Sequence, residues 1–369
     1  MTVVCATACR FAFPALLTLL AFLAAEQPPT PPARRGSHVA LVACTCGISV
    51  VLALLSPLSS STALGGAPPY PPLPEGDGLA AKYPGDRGIE QDPAVVFADG
   101  FEGFEDDAVA TDARQQKGMK WDQAWHTVRI TREPANVHSG KQAVEIRHEQ
   151  PIMSHGMGKT FKEGFDTLYV RYYMKLHKEF PGCHHIGMNM WAGAPGVVMR
   201  SGTATSATGV RPNGQNHFVV SLDAAQPSRR SAERPPGRSN IYCYHMDQVG
   251  VYGDQFFPSG EVRPVENAGL IGADFVPRPD FIAALDRWYC YEFMVKANTP
   301  GKRDGRVAFW VDGVLKGDFP NLRLRSVDTL KVNNVYLSSY SSRLLPNQTL
   351  WYDDIVVATS YIGPQPAAK

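Results

Sequence analysis

The sequence predicts an all-β domain, a two-sheet sandwich or jelly roll, behind an N-terminal region that is not part of it. Three observations carry this. Between residues 93 and 364, short apolar or alternating runs are interrupted, roughly every eight to fifteen residues, by Gly, Pro, Asn and Asp. No window of that stretch holds a long apolar stripe of helical period, and the one modest helix candidate is Pro279–Asp286. Asp312-Gly313 stands between two alternating runs, the strongest short signal for a hairpin closed by a type I′ turn.

The first 64 residues read as an address. Phe11 to Ala25 is apolar, follows Arg10 and ends on Ala24-Ala25. Val39 to Leu58 is longer, uncharged, preceded by Arg34-Arg35 and followed by small residues, Ser59 to Ala63. A basic flank, an apolar run and small residues are the layout of a signal peptide or a membrane anchor, and about twenty apolar residues suffice to cross a bilayer. Two such runs in series read either as an anchor pair or as a start placed too early, with the true signal beginning near Arg34; the second reading is preferred. Either sends the remainder out of the cytoplasm, as a secreted, periplasmic or membrane-anchored protein facing outside. Residues 65–92, rich in Pro and Gly, lack a periodic apolar pattern and are expected to form an extended, disordered linker. The sandwich then occupies 93–364, and 365–369 is a tail.

Within 93–364 the expected strands are AVVFADGFEG, QAVEIRHE, TLYVRYYMKLH, HHIGMNMW, NHFVVSLD, NIYCYHM, WYCYEFMVKA, the hairpin GRVAFWVDGVLKG, VNNVYLSSY and LWYDDIVVATSYIG. About ten strands over roughly 270 residues make one sandwich with an ample core. The net charge of +1 and pI near 7.6 argue against a nucleic-acid partner, which favours a basic surface. The chain has 7 Cys but no zinc-like Cys/His spacing. Of these only Cys183, Cys243 and Cys290 fall in the sandwich, as one disulfide plus a thiol or as buried single thiols.

Four segments carry a resemblance to a known group. They are Phe97–Gly103 (FADGFEG), Asn240–His245 (NIYCYH), Trp288–Gly313 with its NTPG, DG and WVDG elements, and Trp351–Pro364 (WYDDIVVATSYIGP). Over most of 95–364 the chain resembles the concanavalin-A-like lectin/glucanase jelly rolls, most of all the group around polysaccharide lyase family 14, the alginate and glucuronan lyases. The resemblance implies a carbohydrate-active protein whose partner is an acidic polysaccharide, cleaved by β-elimination without a required cofactor; export is the reading of the N-terminal runs, and a monomer is expected. A carbohydrate-binding module without catalysis, or a structural envelope protein on the same fold, are the alternatives.

A uronate lyase needs a donor for the substrate carboxylate, a base and an acid. Tyr242 and Tyr244, two apart on a strand, point to one face, and the resemblance places such a pair in the active cleft as base, acid or sugar platform. His185, Asn189 and Trp191 share one face of their strand, with Ile186, Met188 and Met190 on the core side. His184 and His185 fall where the resembled group carries a catalytic Lys, so His185 joins the catalytic candidates and His184, Asn189 and Trp191 the substrate-binding ones. His217, Ser221 and Asp223 face away from the core, opposite Phe218, Val220 and Leu222. The group's Arg is missing from that strand, and Arg171, with Tyr173 and Lys175, is the substitute cation; a snorkelling surface residue is its plainer reading. Hydrolysis, which needs two carboxylates across a cleft, finds only Glu292 and Asp312. Related sandwiches hold a structural Ca2+ between first and last strands, where Glu102 and Asp353 or Asp354 stand here; turn-capping carboxylates are the other reading.

Overall fold

Side-chain alternation sorts the chain into two sheets that share one core. The computed structural model describes residues 70–109, 117–126, 128–197, 207–227, 233–264, 266 and 275–366. The apolar runs of residues 1–64, and residues 65–69 of the expected linker, lie outside the described residues. Among those described, no helix is long and apolar enough to cross a membrane.

In chain order the strands are β1 (Val95–Asp99), β2 (Ala108–Val109), β3 (Gln123–Trp125), β4 (Val128–Thr131), β5 (Ala143–Arg147), β6 (Ser154–Phe165), β7 (Thr167–Leu176), β8 (Met188–Gly193) and β9 (His217–Ala224). There follow β10 (Ser239–Tyr244), β11 (Asp254–Phe256), β12 (Val262–Arg263), β13 (Tyr289–Lys296), β14 (Gly305–Val311), β15 (Val314–Leu322), β16 (Val332–Tyr340) and β17 (Thr349–Ala358). Sheet I runs β15-β14-β13-β7-β17-β5-β4-β2, with β1 also on β17; sheet II runs β12-β11-β10-β9-β8-β16-β6-β3. Every predicted strand forms, and the fold is a jelly-roll β-sandwich with antiparallel neighbours.

The core lies between the sheets. Val170, Phe293, Phe309 and Tyr352 enter it from sheet I, and Met188, Met190, Phe218, Val220, Leu222, Val335 and Leu337 from sheet II. Burial of this apolar surface is the main stabilising force. The β14–β15 hairpin closes as expected: Val311 pairs with Val314, and Asp312 and Gly313 take φ of 49° and 76°, the double positive φ of a type I′ turn. Cys183, Cys243 and Cys290 are free and buried, so the disulfide alternative is not formed.

Two expectations are corrected. Pro279–Asp286 is not helical; the stretch is irregular and caps the sandwich, with Phe281 accepting from Ser239 N and Asp286 donating to Leu176 O. The Pro-rich segment is not a free linker. Residues 70–92 form a strap across the outer face of sheet I, with three short 3-10 turns. Proline cannot donate to a strand ladder, but its carbonyl still accepts. Trp310 Nε1 donates to Pro74 O at 2.7 Å and Arg306 Nη1 to Pro71 O at 2.8 Å. Ala80 N then donates to Ile362 O at 2.8 Å, while Leu79, Ala80 and Ile89 pack on Val356, Ala358 and Ile362. Gly78 lets the strap approach, since a β-carbon there would stand 2.5 Å from Ile362 O.

Candidate active site

The outer face of sheet II gathers most of the side chains singled out by the sequence. Register builds the face in rows. One row runs Tyr242, Ser221, Asn189, Tyr336 and Gly158 across β10, β9, β8, β16 and β6; the next holds Tyr244, Val219, Trp191 and Asn334. His185 enters from the segment before β8 through an isolated bridge to Tyr340.

His185 has a fixed partner. Its Nδ1 bonds Asp223 Oδ2, and Asp223 Oδ1 accepts from the backbone of Ile186 and Ala224, each at 2.9 Å. A carboxylate accepts, so Nδ1 carries a proton, and Nε2 is the ring nitrogen left for a substrate. Asp223 is 3% exposed at the side chain and His185 28%, which leaves the ring edge open while its orienting partner is covered. Tyr242 lies 5.1 Å from His185 between ring centroids, and Tyr340 6.2 Å on the other side. Burial, reinforced by neighbouring Tyr244, pushes the Tyr242 hydroxyl well above its ordinary range, so it holds its proton at neutral pH. Tyr242 OH accepts from Gly253 N at 3.2 Å, and Tyr244 OH from Gly209 N at 3.4 Å.

A band of rings crosses the same face. Trp125 and Tyr336 are 5.9 Å apart, Tyr336 and Trp191 6.0 Å, and Tyr242 and Tyr244 5.6 Å. Glycine lets these rings lie down: a β-carbon at Gly156 would meet the Trp125 ring at 2.3 Å, and one at Gly158 the Tyr336 ring at 2.5 Å. Asn189, buried in this face, accepts from Ser221 Oγ.

The other candidates are placed as follows. His184 is 4.5 Å from the His185 ring and exposed. His217 is on this face but fully buried, 6.0 Å from Tyr244, and burial lowers its pKa. Arg171 is a correction. It points away from the core, as alternation requires, but from β7 in sheet I, on the opposite side of the sandwich. There the strap covers it, and it pairs with Asp86 at 0% side-chain exposure. Glu292 also lies in sheet I, holding Ile362 N and Gly363 N at 2.8 Å, and Asp312 closes the hairpin.

Glu102 and Asp353 both pin the loop 138–142. Glu102 Oε1 accepts from Lys141 N and Gln142 N, and Asp353 Oδ2 from His138 N and Ser139 N. Among the described residues no group of three or more His, Cys, Asp or Glu is arranged to hold a metal ion. A groove of about 700 Å³ opens beside this loop, lined by Asp86, Glu90, Glu102, His138 and Asp354, far from His185 in the fold because it belongs to sheet I.

Asp223, Tyr336, Tyr340 and Trp125 are the members that the sequence did not single out for a role. Alternation in VNNVYLSSY places both tyrosines on one face, but Trp125 stands on a strand of 3 residues, too short for any pattern.

No family model matches the chain, and no curated protein matches it. Among solved structures it is similar to the alginate lyase Aly36B, at 14% identity over 71% of this chain and 96% of that one, with a TM-score of 0.47. It is likewise similar to the endo-beta-1,4-glucuronan lyase from the fungus Trichoderma reesei (14% identity, 74% and 100% covered, TM-score 0.43). The marine PL-14 alginate lyase from Aplysia kurodai is a third (14%, 72% and 99%, TM-score 0.46).

Proposed function

We propose that the chain is an exported polysaccharide lyase that cleaves a uronate-containing polysaccharide by β-elimination on the outer face of sheet II. The observation that carries this reading is the Asp223–His185–Tyr242 cluster: an imidazole held by a buried carboxylate through Nδ1, with its ring 5.1 Å from a phenol that keeps its proton. In β-elimination the base removes the proton on the carbon bearing the carboxylate. The electron pair forms a double bond to the neighbouring carbon as its bond to the glycosidic oxygen breaks, and that oxygen takes a proton from the acid. His185 Nε2 is the base and Tyr242 the acid. Asp223 holds the imidazole and stabilises the imidazolium that forms. His184, exposed beside His185, supplies a donor for the uronate, and Asn189 and Trp191, buried beneath it, form the floor of the site.

Among the described residues, the hydrogen bonds and ion pairs of His185, Asp223, Tyr242 and Tyr244 involve no Lys or Arg. That supports a second reading, a carbohydrate-binding module, in which the ring band binds sugar and no bond is cleaved. Product analysis separates the readings. Full-length protein is incubated with alginate, glucuronan and pectate, and the oligosaccharides are weighed by mass spectrometry. Elimination gives chains with an unsaturated end, lighter by one water than hydrolysis products; intact polymer with retarded protein migration in polysaccharide gels supports the module.

A further inference from the structure

The aromatic band does not end at Tyr244. Beyond it, in the loop joining β10 to β11, Val249, Val251 and Tyr252 are 60%, 51% and 62% exposed, and Tyr252 is the most exposed large apolar side chain among the described residues. The loop is firmly built. Gln248 is fully buried, its Nε2 donating to Gly250 O and Tyr252 O at 3.0 Å, and its Oε1 accepting from His245 N at 3.0 Å. Beneath it His245 bonds Asp254 at 2.8 Å, both buried. The fold therefore fixes the backbone around an aromatic ring that it leaves in water, and an exposed apolar patch on a fixed frame marks an interaction site.

Its position says with what. The residue after Tyr252 is Gly253, whose N–H donates to Tyr242 OH. The Tyr252 ring lies over Gly209, where a β-carbon would stand 3.6 Å from it, and Gly209 N–H donates to Tyr244 OH. Tyr252 thus adjoins Gly253 and Gly209, the two backbone donors to the site tyrosines, and continues their band outward. A pyranose offers a flat face of C–H groups that stacks on such a ring.

We propose that Tyr252 is an outer stacking subsite that holds a sugar unit of the same chain beyond the reacting bond, so that the site selects polymer over short oligosaccharides. The inference rests on the polysaccharide reading above. Its carriers are Tyr252 for stacking, Val249 and Val251 of the same loop for the apolar rim, and Gly253 and Gly209 for the link to Tyr242 and Tyr244.

The test uses the full chain and named probes. Affinity for alginate and for glucuronan is measured by migration in polymer-containing native gels, and affinity for trisaccharides of each by calorimetry. Tyr252→Ala is expected to weaken polymer binding about tenfold and to lower the polymer-to-trisaccharide ratio by a similar factor. Tyr252→Trp restores it, because stacking needs the ring and not the hydroxyl. The site is exposed, so the melting temperatures of all three proteins should agree. If wild type is retarded and Tyr252→Ala is retarded equally, the outer subsite is wrong while the polysaccharide reading stands. If wild type binds neither polymer, both fall. If Tyr252→Ala changes only the sedimentation coefficient, the patch serves protein association and the inference is overturned.

Discussion

Replacing Asp86 by Ala removes the partner of a charge that the fold has taken wholly out of water. Arg171 is 0% exposed at the side chain, under the strap, with Asp86 receiving both guanidinium arms and its Nε finding no partner. Removing one partner of a buried pair costs about 3–5 kcal/mol, because the remaining charge stays desolvated. Glu292, opposite Arg171 in the β13–β7 register, softens the loss, so the low end, about 3 kcal/mol, is expected. With a urea slope of about 3 kcal/mol per molar for a domain of this size, the midpoint should fall by about 1 M. Equilibrium urea unfolding followed by Trp fluorescence reads it. The double variant Asp86→Ala/Arg171→Met should recover much of the loss, since replacing both charges leaves nothing unpaired. A midpoint shift under about 0.3 M, the scale of an exposed ion pair, would mean that the pair is not buried and that the strap is not part of the fold.

Other outcomes follow from the same geometry. A fragment starting at residue 91 should be markedly less stable than one starting at residue 65, because it uncovers Trp310, Ile362 and Arg171; dye binding and melting temperature compare them. His148 is buried beside His155, which lowers its pKa to about 4. The unfolded chain, with an ordinary value near 6.5, binds the extra proton between those limits, so stability is full above about pH 7 and falls as pH drops, by about 2 kcal/mol at pH 5. His148→Gln should flatten that slope in melts taken across pH. Gly158→Ala should push up the Tyr336 ring and weaken oligosaccharide binding several-fold, with near-UV circular dichroism reporting the ring's displacement. Asp223→Asn should cut turnover by roughly 10²–10⁴, as loss of an imidazole-orienting carboxylate does, while leaving polymer affinity within about twofold.

Much of the fold was legible because alternation is a direct record of facing. Met188 and Met190 inward, Asn189 and Trp191 outward, follow from period two alone, and Asp312-Gly313 names its own turn. β6 was not legible. Its SHGMGKTFKEGF carries three glycines and little β-branched content, so it reads as a loop; two of them, Gly156 and Gly158, leave room for the Trp125 and Tyr336 rings that lie over them. The strap was misread for a related reason. Proline-rich sequence lacks a periodic pattern, yet the Pro71 and Pro74 carbonyls are what Arg306 and Trp310 need. Arg171 shows the limit of alternation, which tells inward from outward but not which sheet. Sequence could gather His185 and Tyr242 as candidates; only the fold, through the bridge of His185 to Tyr340, could set Asp223 of β9 against the imidazole.

The most direct measurement is the ultraviolet absorbance of unsaturated uronate ends, recorded with wild type, His185→Ala and Tyr242→Phe on alginate, glucuronan and pectate. Absorbance should rise with wild type on at least one polymer and be lost in both variants, whose retention in polymer gels persists. A wild type that binds polymer yet yields no absorbance, or a His185→Ala protein that cleaves as fast as wild type, would contradict the lyase reading.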